Sequence, residues 1–137
     1  MYRYAQIVNK PLQIADIGTG SGCIAIALSL LLSEAKVTGI DVSDKALKVA
    51  QKNASTLHAN VSWVQQDILM SASLPEKYDI IVSNPPYIPL REKENMENQV
   101  TQYEPAIALF VINEDPFIFC KMIARFGKQV LNKNGQL

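Results

Sequence analysis

Histidine, cysteine and charge of either sign in excess are all scarce in this sequence. His58 is its one histidine, Cys23 and Cys120 are its two cysteines, and 13 Lys+Arg are matched by 13 Asp+Glu. Each scarcity excludes something. No cysteines and histidines stand at metal-ligand spacing, so zinc chemistry has no support. His58 falls in the polar stretch "TLHAN" and reads as a solvated turn residue, which leaves a Ser-His-Asp triad without its base. The two cysteines lie in apolar stretches and read as small buried hydrophobes in a reducing compartment. Balanced charge argues against the strongly basic surface of a nucleic-acid-binding protein, so nucleic acid is not the expected direct substrate. The longest apolar run, residues 24–32, is too short to cross a bilayer, and the N-terminus has no charged-then-apolar signal pattern. A soluble, cytoplasmic protein is expected, with no metal and no membrane partner.

What is present suffices for one packed domain: 137 residues, 48% of them hydrophobic. The elements alternate. "LQIADIG" (residues 12–18) predicts a short buried strand, "CIAIALSLLLSE" (23–34) a helix and "KVTGID" (36–41) a second strand. Ser43 is the expected N-cap of a helix through "DKALKVAQKNAS", with Ala46, Leu47, Val49 and Ala50 on its apolar face. "VSWVQQD" (61–67) and "YDIIVS" (78–83) predict strands three and four. Asp115-Pro116 predicts the start of a helix through Val130, with Phe117, Cys120, Ile123, Ala124 and Val130 facing inward. "NKNGQL" predicts a turn leading into another strand. Alternating buried strands and helices imply an α/β fold, a parallel sheet covered on both faces by right-handed crossovers. In such sheets ligands bind beyond the carboxyl ends of the strands.

The residues at those ends are distinctive. After the first strand comes Asp16-Ile17-Gly18-Thr19-Gly20-Ser21-Gly22, whose alternate glycines let the backbone bend sharply and approach a ligand. Asp41 ends the second strand, where a carboxylate can accept both hydroxyls of a ribose. Asp67 follows the third and can hold the amino group of an adenine. Ile40, Val42 and Ile68 flank these acids and can sandwich a base, although core packing explains them equally well. Two cofactors fit. A dinucleotide site usually reads G-x-G-x-x-G, whereas the spacing here is G-x-G-x-G, which tilts the reading towards S-adenosylmethionine. After the fourth strand comes Asn84-Pro85-Pro86-Tyr87. Proline fixes φ and holds the residue before it extended, so the loop is stiff. It can point the Asn84 side-chain oxygen and the Pro85 carbonyl the same way, as two acceptors for one NH₂ group. Tyr87 can lie flat against a planar substrate.

In combination, "DIGTGSGCIAI", Asp41 and "NPPYI" resemble the class I S-adenosylmethionine-dependent methyltransferases that modify amino or amide nitrogen. Within them, "YEPAIALF" (residues 103–110) after "NPPYIP" resembles the release-factor glutamine methyltransferases. The resemblance covers nearly the whole chain. It implies a Rossmann-like parallel sheet flanked by helices, and S-adenosylmethionine as cofactor. It implies cofactor contacts from Asp16, Gly18, Thr19, Gly20, Gly22, Asp41, Val42, Asp67, Ile68 and Asn84. Asn84, Pro85 and Tyr87 would be catalytic, and Pro86, Tyr87 and Glu104 would contact substrate. The partners implied are peptide chain release factors. Against the family pattern, residues 1–137 read as a catalytic-domain fragment, without the N-terminal helical domain and cut before the last strands. Strand four is then expected to be an exposed edge that invites self-association.

The implied chemistry is methylation of a glutamine side-chain amide. That nitrogen is a poor nucleophile, and acceptance of both its N–H groups by Asn84 and Pro85 favours charge developing there as it attacks the methyl group in line. No strong base is required before attack. Other readings stand beside this one: a methyltransferase for exocyclic amines of adenine or guanine in DNA or RNA, a cofactor-binding fragment without activity, or an NAD-binding domain.

Overall fold

Isoleucine and valine, stiff at Cβ and fully apolar, build the centre of this chain into strands. A computed structural model describes residues 10–68, 76–85, 88–89, 110–111 and 117–137. Its elements run β1 (Gln13–Ile17), α1 (Cys23–Leu31), β2 (Lys36–Asp41), α2 (Asp44–Thr56), β3 (Val61–Gln65) and β4 (Tyr78–Ser83). They continue with β5 (Ile88–Pro89), β6 (Phe110–Val111), α3 (Ile118–Val130) and β7 (Leu131–Gln136). Five strands form one parallel sheet in the order β3-β2-β1-β4-β7, and β5 pairs with β6 separately.

The strand order reverses direction beside β1, so right-handed crossovers put α1 and α2 on one face and α3 on the other. The core follows that division. Ile14, Val37 and Ile80 pack with Ala25 of α1, while Ala15, Ile17, Ile40 and Ile81 pack with Ile123, Phe126 and Val130 of α3. Ile14 and Ile40 are fully buried, and each such side chain contributes about 1.5–3 kcal/mol relative to an exposed one.

The helices depart from expectation in phase. Ser43 does cap α2, its hydroxyl accepting the Ala46 N–H at 3.2 Å. The buried residues of α2 are Leu47, Ala50 and Ala54, at i, i+3 and i+7, whereas Val49 is half exposed. Two positions beyond Leu47, Val49 turns away from the sheet. On α3 the same spacing buries Ile123, Phe126, Gly127 and Val130 and leaves Phe117, Cys120 and Ala124 exposed. Phe117 stands at the N-cap, and the expected start at Asp115-Pro116 lies outside the described residues. Helix α1 ends at Leu31 rather than Glu34, because residues 32–35 turn back so that the Lys36 N–H can reach the Leu12 carbonyl at 2.8 Å. Both cysteines are exposed, not buried, since apolar neighbours in sequence do not dictate the direction of a helical side chain.

The end of the chain corrects a further expectation. Strand four is not an edge: β7 pairs with it, Leu131 beside Tyr78 and Gln136 beside Ile80. Five positions of β7 advance over two of β4, and Asn134 takes a left-handed φ of 69° in the excess. The fifth strand of the sheet is therefore present, with the predicted turn folded into it. The outer strands of this sheet are β3 and β7.

Candidate functional site

Parallel pairing brings the ends of β3, β2, β1 and β4 to one edge of the sheet. Asp67, Asp41, the glycine turn and Asn84 follow those strands side by side. The turn is tied to its neighbour, since the N–H groups of Gly18 and Thr19 both donate to the Ile40 carbonyl, at 2.8 and 3.0 Å. Gly18 and Gly20 have φ of +69° and +57°, and a Cβ built at either would meet nothing within 4 Å. Glycine is needed there for the left-handed backbone, and the open space on that side is where a ligand can approach the main chain.

Two carboxylates converge on this turn. Asp16 is 1% exposed. Its Oδ2 accepts the Thr19 hydroxyl at 2.6 Å and the Ala25 N–H at 3.1 Å, at the start of α1. Its Oδ1 has no hydrogen-bond partner among the described residues. Burial pushes the Asp16 carboxyl above the ordinary carboxylate range. The Thr19 and Ala25 bonds pull it down, and the negative charge of Asp41 adds to the upward push. Asp41 accepts the Gly20 N–H at Oδ2, 2.8 Å, and the Ser43 N–H at Oδ1, 2.9 Å. It thus links the glycine turn to the cap of α2. An ionised carboxylate has about four acceptor sites, so capacity remains for ligand donors.

The remaining predicted residues fall as follows. Asp67 is half-buried beyond β3. Of the apolar flankers, Val42 is 45% exposed, whereas Ile40 and Ile68 belong to the core beside Ile17. Asn84 is exposed and Pro85 half-buried. Pro86, Tyr87 and Glu104 lie outside the described residues, as does most of the "YEPAIALF" stretch. His58 is exposed in its turn with φ of 54°. No group of three or more His, Cys, Asp or Glu able to hold a metal ion occurs among the described residues.

Residues that no motif singled out brace the site. The Ser83 hydroxyl donates to the Ile17 carbonyl at 2.7 Å, pinning the end of β4, and so the start of the Asn84-Pro85 loop, to the start of the glycine turn. The Asn53 amide donates to the Ser21 carbonyl at 3.0 Å, from α2 to the turn. Trp63 lies beneath the turn, beside Gly39. Glycine in the middle of a strand is itself a signal of close approach by another group.

With this geometry in place, comparison with known proteins is informative. The family described as Methyltransferase small domain matches residues 5–104. The release factor glutamine methyltransferase of Flavobacterium psychrophilum is 48% identical over 128 residues, 93% of this chain and 45% of that protein. The chain spans less than half the length of such curated relatives. Among solved structures, TrmN from Thermus thermophilus superposes with a TM-score of 0.64 at 21% identity, over 95% of this chain and 32% of that one. The ribosomal protein L11 methylase from Lactobacillus delbrueckii subsp. bulgaricus does so with a TM-score of 0.57 at 24% identity, over 98% of this chain and 56% of that one. These two likenesses are of fold.

Proposed function

The chain belongs to the methyltransferase small-domain family, and we propose that it transfers a methyl group from S-adenosylmethionine to the side-chain amide nitrogen of a glutamine in a peptide chain release factor. The relatives named for that activity support the substrate. The observation that carries the cofactor is the pair of carboxylates, Asp16 and Asp41, at an open glycine turn.

The residues fit the group. S-adenosylmethionine carries a single carboxylate, and its sulfonium, ammonium, ribose hydroxyls and adenine amino group are all cationic or donating. The turn offers an unpartnered Asp16 oxygen, spare acceptor capacity on Asp41, and backbone that is open at Gly18 and Gly20. A dinucleotide would bring a pyrophosphate instead. Two nearby carboxylates repel it, and the Ala25 N–H at the start of α1 is already taken by Asp16.

Bound there, S-adenosylmethionine supplies an already activated methyl group. The chain's own task is alignment. The Asn84 side-chain oxygen and the Pro85 carbonyl accept the two N–H groups of the glutamine amide. They hold its nitrogen at the mouth of the turn and favour positive charge as it develops. Tyr87 orients the amide plane, with Pro86 and Glu104 contributing to the acceptor's place. Val42, Asp67 and Ile68 are the residues that would hold the adenine, with Asp67 as acceptor for its amino group. Once methylated, the nitrogen loses its extra proton to solvent, so no base is required. No helix among the described residues is long and apolar enough to cross a membrane, and the enzyme proposed is cytoplasmic.

Calorimetric titration with S-adenosylhomocysteine and with NAD tests the cofactor, and methyl transfer onto a release factor and onto nucleic acid tests the acceptor. Saturable heat with S-adenosylhomocysteine alone, and label on a release-factor glutamine alone, are expected. Binding of NAD in preference, or label on nucleic acid only, overturns the proposal.

A further inference from the structure

We propose that Trp63 is a positioning residue that sets the shape of the glycine turn from behind, an inference that rests on the reading of that turn as the cofactor site. Trp63 is the one tryptophan of the chain and stands on β3 in register with Gly39 of β2. Glycine inside a strand is less favourable than alanine, so a mid-strand glycine calls for a spatial reason. The reason here is the indole. A Cβ at Gly39 would lie 2.4 Å from Trp63 Cζ3 and 2.6 Å from Cε3. The ring therefore crosses the bare backbone of β2, filling the place a side chain would take.

The same ring reaches the turn. A Cβ at Gly22 would lie 2.9 Å from Trp63 Cη2, 2.9 Å from Ala50 Cβ and 3.2 Å from Ile26 Cδ1. Gly22 is where the turn becomes α1, with φ of +84° and no side-chain cap bond. It is held by backbone bonds to Thr19 and Ile26 and by this packing. The Gly39 end of the ring is close to Thr19 as well, since a Cβ at Gly39 would also come 3.1 Å from Thr19 Oγ1, the hydroxyl that bonds Asp16. One rigid ring thus spans the strand beneath the turn and the residue at its end, with Ala50 of α2 closing the far side. A glycine-rich turn has high backbone freedom. A support that removes that freedom before the ligand arrives raises affinity by lowering the ordering cost of binding. No motif marks Trp63, because its role depends on two glycines distant from it in sequence.

The test uses the 137-residue protein, with S-adenosylhomocysteine as probe. Calorimetry follows wild type, Trp63→Leu and Trp63→Phe, and tryptophan emission follows wild type. Trp63→Leu is expected to weaken binding about tenfold, through a turn no longer ordered in advance. Trp63→Phe, which keeps a ring over Gly39, is expected to recover most of the loss. The wild-type emission is expected to shift on titration, with the midpoint that calorimetry gives. Wild-type binding accompanied by unchanged affinity in Trp63→Leu, or by unchanged emission at saturation, overturns the positioning role and leaves the cofactor reading intact. Absence of binding by wild type overturns the cofactor reading, and this inference with it. If Trp63→Leu does not fold, the wild-type emission titration decides alone.

Discussion

Asp16 and Asp79 sit on adjacent strands of one sheet, near its opposite ends, and are 1% and 4% exposed. At the amino end, Asp79 is surrounded by donors. It receives the Gln13 N–H at 3.0 Å, the Asn132 amide at 2.8 Å and the Lys10 ammonium at 3.2 Å. Burial alone would push its carboxyl upward, but these three donors outweigh it and hold the group below the ordinary carboxylate range. At the carboxyl end, Asp16 keeps one oxygen without a partner, and burial wins. Buried polar groups in folded proteins are nearly all paired, so the unpaired one calls for an explanation. The satisfied end joins the chain's first described residue, β1 and β7. The unsatisfied end has a buried acceptor without a partner among the described residues, on the strand that leads into the open glycine turn. The two carboxylates differ in their partners rather than in their burial.

The comparison breaks most severely if residues of the carboxyl end prove structural. Asn84 is exposed and lies one position past the Ser83–Ile17 bond, so its loss leaves that anchor in place. Asn84→Ala is expected to lower kcat by about a hundredfold or more, by analogy with removal of one preorganised charge-stabilising group. Its affinity for S-adenosylhomocysteine and its Tm should stay close to wild type. Near-normal turnover would remove Asn84 from the reaction. A large fall in Tm would make it part of the scaffold.

A smaller effect sharpens the same contrast. Asp41 is both a brace, through Gly20 and Ser43, and a proposed acceptor for ribose hydroxyls. Asp41→Ala is expected to weaken S-adenosylhomocysteine binding by at least about tenfold, one good hydrogen-bonded contact to a charged group. Calorimetry that found unchanged affinity would leave Asp41 with its bracing role alone.

The parts that were legible in the amino-acid sequence were those in which a residue's chemistry and its backbone demand coincide. Gly18 and Gly20 free the main chain for a left-handed φ, Pro85 stiffens it, and all three mark strand ends, so the turn and the candidate site were read from the same signs. Ile14, Ile40 and Ile80 identify strands because a β-branched apolar run has few other uses. What escaped depends on distant partners. Phe126 and Gly127 face the core of α3, while Cys120 and Ala124 do not, because the phase of a helix is set by the sheet beneath it. The pairing of β7 with β4 required knowing that Asn134 would tolerate a left-handed turn. Trp63 and Gly39 are ordinary residues singly and mean something only as neighbours across two strands.

The smallest expected effect tests the comparison most directly, because it predicts opposite signs. Asp79 has a lowered carboxyl value, so the unfolded chain binds its proton more readily than the folded one. The stability it contributes is fully present above the ordinary carboxylate range and is lost as pH falls through its lowered folded value. Asp16 has a raised value, so between the ordinary carboxylate value and its own the folded chain holds the proton that the unfolded chain has released. Its contribution therefore declines as pH rises through that window. Urea unfolding across the acid range, with wild type, Asp16→Asn and Asp79→Asn, reads both. Asp79→Asn should fall further below wild type as pH rises. Asp16→Asn should gain on wild type over the rise, because an amide can still accept the Thr19 and Ala25 bonds without a buried charge. That gain should come with weaker binding of S-adenosylhomocysteine, as befits a site whose strain serves function. Parallel trends in the two variants would mean that Asp16 is as well satisfied as Asp79, and that the free oxygen at the glycine turn does not await a ligand.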